Sequence, residues 1–170
     1  LGPGFEAFAT VFQLPQEVRA FIQGMYSLNS SSAEEIVNAI DLSEYQCLMD
    51  VGGGSGALSI AAINKYPKLN AILFELPQVC TVAQEHINQN QMKARIKVLP
   101  GDFFDPATMS DEADVIALGG VLHDWSDTQA KSILKNCHNV LKPDGILLVC
   151  EKVLEEDKTA PVFTTLMNLH

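Results

Sequence analysis

Short apolar runs alternate with segments of helical spacing from Cys47 onward, and no other feature of the sequence constrains the fold as strongly. Strands of a parallel sheet are joined by crossover connections that are usually helices, so this alternation predicts a doubly wound α/β domain with a mostly parallel sheet. The predicted strands are Cys47–Val51, Ala71–Phe74, Ile96–Leu99, Asp114–Leu118 and Ile146–Val153. The predicted helices are Ala57–Lys65, Val79–Asn88 and one that Ser126 caps and that continues to Leu141.

Residues 1–42 show helical spacing without strands and are predicted to form a helical lead-in segment before a domain at residues 43–170. The run Ser31-Ser32-Ala33-Glu34-Glu35 offers a capping box, so a separate helix through Ile36 and Ile40 is predicted to begin there. An earlier helical face is predicted from the apolar spacing of Val18, Phe21, Ile22 and Met25.

Composition narrows the possible partners and the location. The chain of 170 residues has a net charge of −10, which makes nucleic acid and anionic membrane surfaces poor partners. No apolar run approaches the roughly 20 residues of a membrane span, and the first residues lack the features of a signal peptide. A cytoplasmic location is therefore expected. No metal site is predicted, because four cysteines stand far apart without zinc-ligand spacing: Cys47, Cys80, Cys137 and Cys150.

The residues that follow the predicted strands are the candidates for a ligand site. In an open α/β sheet, ligands bind outside the carboxyl ends of the strands, where the strand order reverses. The candidates by this rule are Gly52–Gly56, Glu75, Gly101–Phe104, Gly119–Trp125 and Glu151.

The glycine-rich turn after the first strand allows two kinds of ligand. Glycines there permit positive φ angles and a close approach of the backbone to a ligand. The spacing of Gly52, Gly54 and Ala57 also satisfies the dinucleotide-binding pattern, with Glu75 at the distance where an acid meets a ribose. A nicotinamide oxidoreductase therefore stays open at this point.

Charge favours a cationic ligand at this turn. No Lys or Arg lies between Asp50 and Asn64, and the strand ends contribute the acids Asp50, Glu75 and Asp102. S-adenosylmethionine carries a sulfonium and an ammonium against one carboxylate, so an acidic pocket suits it better than it suits a pyrophosphate. Glu75 can accept hydrogen bonds from ribose hydroxyls, and Asp102 can accept one from the adenine amino group. Phe103 or its neighbour can lie on the adenine ring.

Four motifs occur in order along the chain: Asp50-Val-Gly-Gly-Gly-Ser-Gly, Phe74-Glu75-Leu76-Pro77, Gly101-Asp102-Phe103-Phe104 and Leu122-His123-Asp124-Trp125-Ser126-Asp127. Together they resemble the plant-type small-molecule O-methyltransferases, which have the S-adenosylmethionine-dependent methyltransferase fold. Within that family the acetylserotonin O-methyltransferases and their like proteins look especially close. The resemblance extends from about Ala20 to His170.

The resemblance implies S-adenosylmethionine as cofactor and residues 43–170 as a Rossmann-like catalytic domain. It implies that the glycine turn holds the methionine part of the cofactor, the acid after the second strand the ribose, and the Asp-Phe pair the adenine. The implied cofactor residues are Asp50, Gly52, Gly53, Gly54, Gly56, Glu75, Leu76, Asp102, Phe103, Gly119 and Trp125.

For the reaction, the resemblance implies methyl transfer to a hydroxyl of a small aromatic acceptor, such as a phenol or a hydroxyindole. His123 is the implied general base, and Glu151 is the implied acid that steadies it. Asp124 competes with Glu151 for that second role. A histidine pKa near ~6.5 lies below the ~10 of a phenol, so the base must act together with methyl transfer or on a stabilised phenolate.

The chain also departs from the family pattern. Family members have an N-terminal dimerisation domain and continue past Asn168 into two more strands, so the resemblance implies a homodimer in the full-length form and a chain truncated after the fifth strand. Ile146–Val153 is therefore expected at a sheet edge. Gly119-Gly120 stands where many relatives have a larger, often basic residue, and Glu75 stands where most have Asp.

Three other functions remain open from the sequence. One is a non-catalytic module that binds the cofactor or a partner. A second is the nicotinamide oxidoreductase, which the Asp102-Phe103 motif disfavours. A third is a relative that keeps the cofactor but catalyses hydroxylation or decarboxylation. The histidines His86 and His138 are predicted to lie on helix surfaces, outside the site.

Overall fold

The chain forms a parallel five-stranded sheet with helices on both faces, in a computed structural model that describes residues 14–152. The strands are β1 (Cys47–Val51), β2 (Asn70–Glu75), β3 (Ile96–Pro100), β4 (Val115–Gly119) and β5 (Ile146–Cys150). The helices are α1 (Pro15–Ala39), α2 (Ala57–Lys65), α3 (Pro77–Gln89) and α4 (Asp127–Val140). Within the same described residues, single turns of 3-10 helix lie at Pro106–Thr108 and Leu122–Asp124.

The strand order is β3-β2-β1-β4-β5, and every neighbouring pair runs parallel. The chain builds outward from β1 in one direction through β2 and β3, and then in the other direction through β4 and β5. The order thus reverses beside β1, which is the position where a doubly wound sheet binds ligands. This topology confirms the predicted doubly wound α/β fold.

Alternate residues of the central strands pack into two apolar clusters, one on each face of the sheet. In β1, Leu48 belongs to the cluster that α2 and α3 cover, and Met49 belongs to the cluster that α4 covers. In β4, Val115 and Ile116 divide in the same way. Burial on both faces explains why these strands appear in the sequence as continuous apolar runs.

The residues at the N-termini of two helices explain why these helices begin where they do. Gly56, at φ 84°, precedes the first residue of α2, and its left-handed conformation is one that glycine adopts without strain. Ser126 and Gln129 form a reciprocal capping box at the start of α4. The predicted cap at Ser126 is therefore confirmed.

The predicted helix start at Ser31–Glu35 is wrong, because α1 is continuous from Pro15 to Ala39. The hydroxyl of Ser30, just before that run, donates to the carbonyl oxygen of Tyr26 one turn earlier, at 2.6 Å. Buried positions occur both before and after the serine run, so packing against the domain holds the helix through it. Among the side chains of α1 that the structure describes, the buried ones are Val18, Ile22, Ala33 and Val37. Residues 1–13 of the predicted lead-in lie outside the described part of the chain.

Strand β5 pairs with β4 alone within residues 14–152, so the expected edge position is confirmed for that range. The strand ends at Cys150 rather than at Val153, which lies outside the described residues. Val149 is 48% exposed, whereas Ile146 and Leu148 pack against one of the two apolar clusters.

Candidate functional site

The residues after the strands meet at the carboxyl edge of the sheet, because parallel strands end on the same side. The glycine turn follows β1, Glu75 ends β2, Asp102 follows β3, and Glu151 follows β5. The 3-10 turn Leu122–Asp124 follows β4. The fold thus places all predicted site segments at one edge.

The glycines of this turn differ in what a side chain would meet at each position and in their backbone conformation. A side chain at Gly53 would lie 2.8 Å from the carboxyl carbon of Asp50, so the neighbouring acid occupies that space. A side chain at Gly54 would meet nothing within 4 Å, so the turn is open toward a ligand at this residue. Positive φ angles require three of the glycines: Gly52 at 69°, Gly54 at 55° and Gly56 at 84°.

Asp50 faces the start of α2 rather than the open side of the turn. Its side chain is 2% exposed, and its Oδ2 accepts hydrogen bonds from the hydroxyl of Ser59 at 2.8 Å and from the Ser59 N–H at 3.2 Å. The Ser59 N–H belongs to the first turn of α2, where N–H groups have no partner inside the helix. Burial raises the pKa of Asp50 to about 6, against the hydrogen bonds from Ser59. Asp50 therefore supports the turn from behind.

Glu75 connects the end of β2 to the glycine turn. Its Oε2 accepts a hydrogen bond from the Gly54 N–H at 3.0 Å, and its Oε1 accepts one from the Leu76 N–H at 2.7 Å. Burial raises the pKa of Glu75, although both N–H groups oppose the shift. The structure thus brings together an acid and the open glycine that the sequence assigned to the same ligand.

Three aromatic rings form a cluster beside this turn, which we call the aromatic cluster (Phe103, Phe104 and Trp125). The rings are nearly perpendicular, with centroids 5.0 Å apart for Phe103 and Phe104, 5.5 Å for Phe103 and Trp125, and 4.9 Å for Phe104 and Trp125. Asp102 is exposed, and its Oδ1 accepts a hydrogen bond from the Phe104 N–H at 2.9 Å. Two predicted cofactor residues, Phe103 and Trp125, are therefore in contact although they are distant in sequence.

His123 and Glu151 form a hydrogen-bonded pair after β4 and β5. Nδ1 of His123 lies 2.8 Å from Oε2 of Glu151. The other oxygen of Glu151 accepts hydrogen bonds from the N–H groups of Val121 at 2.9 Å and Leu122 at 2.7 Å. The hydrogen bond to Glu151 raises the pKa of His123, although burial opposes it. Burial alone would raise the pKa of Glu151, but the hydrogen bonds from His123, Leu122 and Val121 hold it below its usual value.

Asp124 and Glu151 lie next to different nitrogens of the His123 ring. Its Oδ1 lies 3.4 Å from Nε2 of His123, the ring nitrogen that Glu151 does not bind. Burial raises the pKa of Asp124, although His123 opposes the shift. The His123 side chain is 58% exposed, so its ring is accessible from the site. Of the two acids that competed in the sequence, Glu151 holds Nδ1 and Asp124 faces Nε2.

The glycine pair after β4 leaves space near both groups. A side chain at Gly119 would make only an ordinary contact, 3.5 Å from Leu58, and its backbone does not require glycine. Gly120 has φ 67°, and a side chain there would lie 3.7 Å from Cε1 of His123. The backbone conformation therefore requires glycine at position 120 but not at position 119.

The prediction of a surface position is wrong for His86. That residue is 8% exposed, and its ring meets Tyr26 edge-on with centroids 4.9 Å apart. Its Nδ1 has no hydrogen-bond partner among residues 14–152. The contact joins α1 to α3, and helical spacing in either helix does not indicate such a pairing. His138 is exposed, as predicted.

No group of three or more His, Cys, Asp or Glu side chains in residues 14–152 is arranged to hold a metal ion. No helix in the same range is long and apolar enough to cross a membrane.

The strand order reverses beside the glycine turn, and the hydrogen-bonded pair His123 and Glu151 lies at the same edge of the sheet. This is the arrangement of a doubly wound α/β protein that binds a ligand at the carboxyl edge of its sheet. The family model for the O-methyltransferase domain matches residues 2–170. The chain belongs to this family. Membership confirms the resemblance seen in the sequence and disfavours the oxidoreductase that the glycine spacing also allowed.

Similar proteins agree with this membership. Acetylserotonin O-methyltransferase of Bos taurus is 34% identical over 168 residues, which are 99% of this chain and 48% of the relative. The 3-hydroxy-5-methyl-1-naphthoate 3-O-methyltransferase of Streptomyces sahachiroi is 33% identical over 94% of this chain and 46% of the relative. Human N-acetylserotonin methyltransferase, solved in complex with SAM, superposes with a TM-score of 0.85 at 33% identity, covering 98% of this chain and 47% of that one. The chain thus spans about half the length of the curated relatives it matches.

Proposed function

We propose that this chain forms the cofactor-binding part of an S-adenosylmethionine-dependent O-methyltransferase that acts on a hydroxyl of a small aromatic acceptor. The observation that carries the proposal is the His123–Glu151 hydrogen bond, at the same edge of the sheet as the glycine turn and the aromatic cluster. The proposed cofactor residues and the proposed base thus lie at the same edge of the sheet.

The residues at this edge fit S-adenosylmethionine. When bound, this cofactor supplies a methyl group that its sulfonium has already activated. The acids Asp50, which is buried, and Glu75, which is partly buried, favour its positive charges, and the open face at Gly54 leaves room for it. We assign the methionine part to Gly52, Gly53, Gly54 and Gly56 with Asp50 behind them, the ribose to Glu75 and Leu76, and the adenine to Asp102, Phe103, Trp125 and Gly119.

His123 is assigned as the general base. An ionised carboxylate only accepts hydrogen bonds, so the contact with Glu151 places the ring proton on Nδ1 and leaves the lone pair on Nε2. Nε2 can then take the proton of the acceptor hydroxyl while Glu151 stabilises the imidazolium that forms. Asp124, 3.4 Å from Nε2, also favours the protonated ring.

The names of the relatives support an acceptor class, and composition limits the partners of the chain. The bovine and Streptomyces relatives described above are named for aromatic substrates that bear hydroxyl groups, acetylserotonin and a hydroxynaphthoate. We therefore propose a small phenol or hydroxyindole as acceptor.

We also propose residues 1–42 as a helical lead-in and residues 43–170 as the catalytic domain. The full-length protein is proposed to be a cytoplasmic homodimer. The net charge of −10 disfavours nucleic acid and anionic membranes as partners.

Calorimetry and thermal unfolding test this proposal on the chain as it stands. S-adenosylhomocysteine should bind and raise the melting temperature by mass action on the folded state, and NAD should not. Equal or stronger stabilisation by NAD would reject the methyltransferase assignment. Turnover is then tested in the full-length protein, with S-adenosylmethionine and a panel of phenols and hydroxyindoles. Binding without turnover on any acceptor would favour the non-catalytic module instead.

A further inference from the structure

Helix α4 buries one amide side chain among apolar neighbours. Asn136 is 9% exposed and lies next to the buried Cys137 and one turn from the buried Ile133. Its Nδ2 donates a hydrogen bond of 2.9 Å to the carbonyl oxygen of Phe103. Burial of an amide is costly unless its hydrogen bonds are made, so this side chain is expected to have a specific task.

The carbonyl group that Asn136 binds belongs to the centre of the candidate cofactor site. The Phe103 ring contacts both other rings of the aromatic cluster. Its Cε1 atom also lies 3.9 Å from the position that a side chain at Gly52 would take. Phe103 therefore lies where the aromatic cluster meets the glycine turn.

The Gly101 N–H donates to the carbonyl oxygen of Glu75 and so joins the start of this turn to β2. Apart from the bond from Asn136, the side-chain hydrogen bonds between Asp102 and Thr108 lie within the turn. Asp102 binds the Phe104 N–H, and the hydroxyl of Thr108 donates to the carbonyl oxygens of Asp102 and Asp105. Such bonds set the shape of the turn but do not fix its position relative to a neighbouring helix. The bond from Asn136 does fix that position, because it joins the turn to α4.

Asn136 and Trp125 are coupled through the same helix. Trp125 immediately precedes Ser126, whose capping box begins α4, and Asn136 lies within that helix. A helix is rigid over this length, so a bond from Asn136 to Phe103 sets the position of Phe103 relative to Trp125. The spacing between these rings determines whether a planar base fits against them.

We propose that Asn136 is a positioning residue that holds Phe103 and the preceding Asp102 in place for the adenine ring of the cofactor. The assignment rests on the proposed function. Asn136 does not touch the ligand. It acts through the backbone of Phe103, and no sequence motif of the cofactor site includes it.

The test compares two substitutions that change the charge equally on one helix. Asn136→Asp keeps the size of the side chain and replaces the donor with an acceptor that faces the Phe103 carbonyl. Asn139→Asp, at an exposed position of α4, is the matched control. The dissociation constant of S-adenosylhomocysteine should rise roughly 5- to 20-fold in the first variant and stay within about twofold of the parent in the second. Asn136→Ala removes the donor without adding charge and should weaken binding in the same direction.

Fluorescence gives a readout that does not depend on binding. Trp125 is the single tryptophan of the chain, so its emission reports the aromatic cluster directly. Asn136→Asp should shift this emission in the ligand-free chain, and Asn139→Asp should leave it unchanged. A catalytic comparison then separates positioning from general destabilisation. Asn136→Asp should raise the KM for S-adenosylmethionine, with kcat at saturating cofactor within about twofold of the parent.

The outcomes distinguish this inference from the proposed function. If the parent binds S-adenosylhomocysteine and the variants at positions 136 and 139 bind it equally, Asn136 has no positioning role while the proposed function stands. A loss of kcat at unchanged KM would also overturn the inference. If the parent itself does not bind S-adenosylhomocysteine, the proposed function fails, and the assignment to adenine fails with it.

Discussion

Nδ1 of His123 lies 2.8 Å from Oε2 of Glu151, whose other oxygen accepts hydrogen bonds from two backbone N–H groups. These N–H groups belong to Val121 and Leu122, in the same segment that carries His123. Glu151 therefore orients the imidazole ring and also fixes the turn on which it stands. One change at Glu151 should affect the protonation of the ring and its placement together.

We expect Glu151→Gln to lower the pKa of His123. The hydrogen bond to Glu151 raises that pKa above its ordinary value, and an amide stabilises the imidazolium less than a carboxylate does. Because the base must be neutral to act, the acid limb of the profile of kcat/KM against pH should move to lower pH. NMR titration of His123 measures the pKa directly, and Glu34→Gln, an exposed acid of α1, is the control. An unmoved titration would contradict the assignment.

The same pair makes a prediction for stability against pH. A histidine whose pKa is raised on folding contributes stability that is fully present below about 6.5, its unfolded pKa, and is lost as pH rises through its folded pKa. The difference in free energy of unfolding between the parent and His123→Ala should therefore shrink as pH rises through that pKa. Urea unfolding across this range measures it, and a constant difference would show that the imidazolium is not stabilised by folding.

We expect His123→Ala to lower turnover by ~10²–10⁴-fold, the usual contribution of a positioned general base. The affinity for S-adenosylhomocysteine should stay within about twofold, because His123 lies beside the proposed cofactor site rather than in it. Steady-state kinetics with an active acceptor and calorimetry give the two values. Full turnover at every pH would mean that the acceptor loses its proton by another route.

We expect Glu75→Ala to weaken binding of S-adenosylhomocysteine by ~1–3 kcal/mol, the cost of leaving buried polar partners without a hydrogen bond. Here the change also removes the hydrogen bond that the Gly54 N–H donates to Glu75, so part of the loss comes from the turn. Asp102→Ala should weaken binding by ~1–3 kcal/mol through the adenine contact. Calorimetry measures both, and parent-like affinity in both variants would contradict the ribose and adenine assignments.

Apolar periodicity was sufficient to predict the architecture and the edge at which the site lies. The strands are buried on both faces, so each leaves a continuous apolar run in the sequence, and the residues after the runs at Val51, Phe74 and Leu118 do converge. Local sequence patterns gave wrong predictions where contacts between residues distant in sequence determine the structure. The serine run after Ser30 lies within a continuous helix that packs against the domain, and His86 is covered by Tyr26 from another helix.

Motif matching assigned residues to the site but not their orientation. Asp50 belongs to the glycine motif, yet its carboxylate faces Ser59, nine residues later, and that contact depends on where α2 starts. No sequence pattern identifies Asn136 as part of the site. An asparagine in an amphipathic helix has no recognisable role until its hydrogen-bond partner is known. Only the three-dimensional arrangement of α4 and the turn at Phe103 identifies that partner.

Asp50 should make the chain less stable as pH rises from about 4 to about 6. Its pKa is raised to about 6 in the folded chain from an ordinary value of 3.8, so ionisation costs more in the folded state than in the unfolded state. By linkage, the free energy of unfolding falls through this window, by on the order of 3 kcal/mol for this group, and is then level. Asp50→Asn should remove that part of the fall while its amide oxygen still accepts a bond from Ser59. Urea unfolding from pH 4 to 8 tests this, with the exposed Asp144→Asn as control. Equal pH dependence in all three proteins would contradict it.

The edge strand β5 should cause self-association. Within residues 14–152 the strand pairs only with β4, and its five residues Ile-Leu-Leu-Val-Cys carry no charge and no proline. Unpaired backbone groups beside such a sequence can pair with another chain. Val149 is the residue to change, because it is 48% exposed, whereas Leu148 packs against the core and a lysine there would destabilise the fold.

We therefore expect the parent chain to increase in apparent mass with concentration and Val149→Lys to remain monomeric, since an edge lysine opposes strand pairing. Leu14→Lys is the matched control, because Leu14 is also 48% exposed but precedes α1 instead of lying on the edge strand. Multi-angle light scattering across a dilution series measures all three proteins. If Leu14→Lys abolishes association as fully as Val149→Lys, general apolar exposure rather than the edge is responsible. A parent chain that stays monomeric at every concentration would mean that another part of the chain, such as the tail Pro161–His170 outside the described residues, already covers β5.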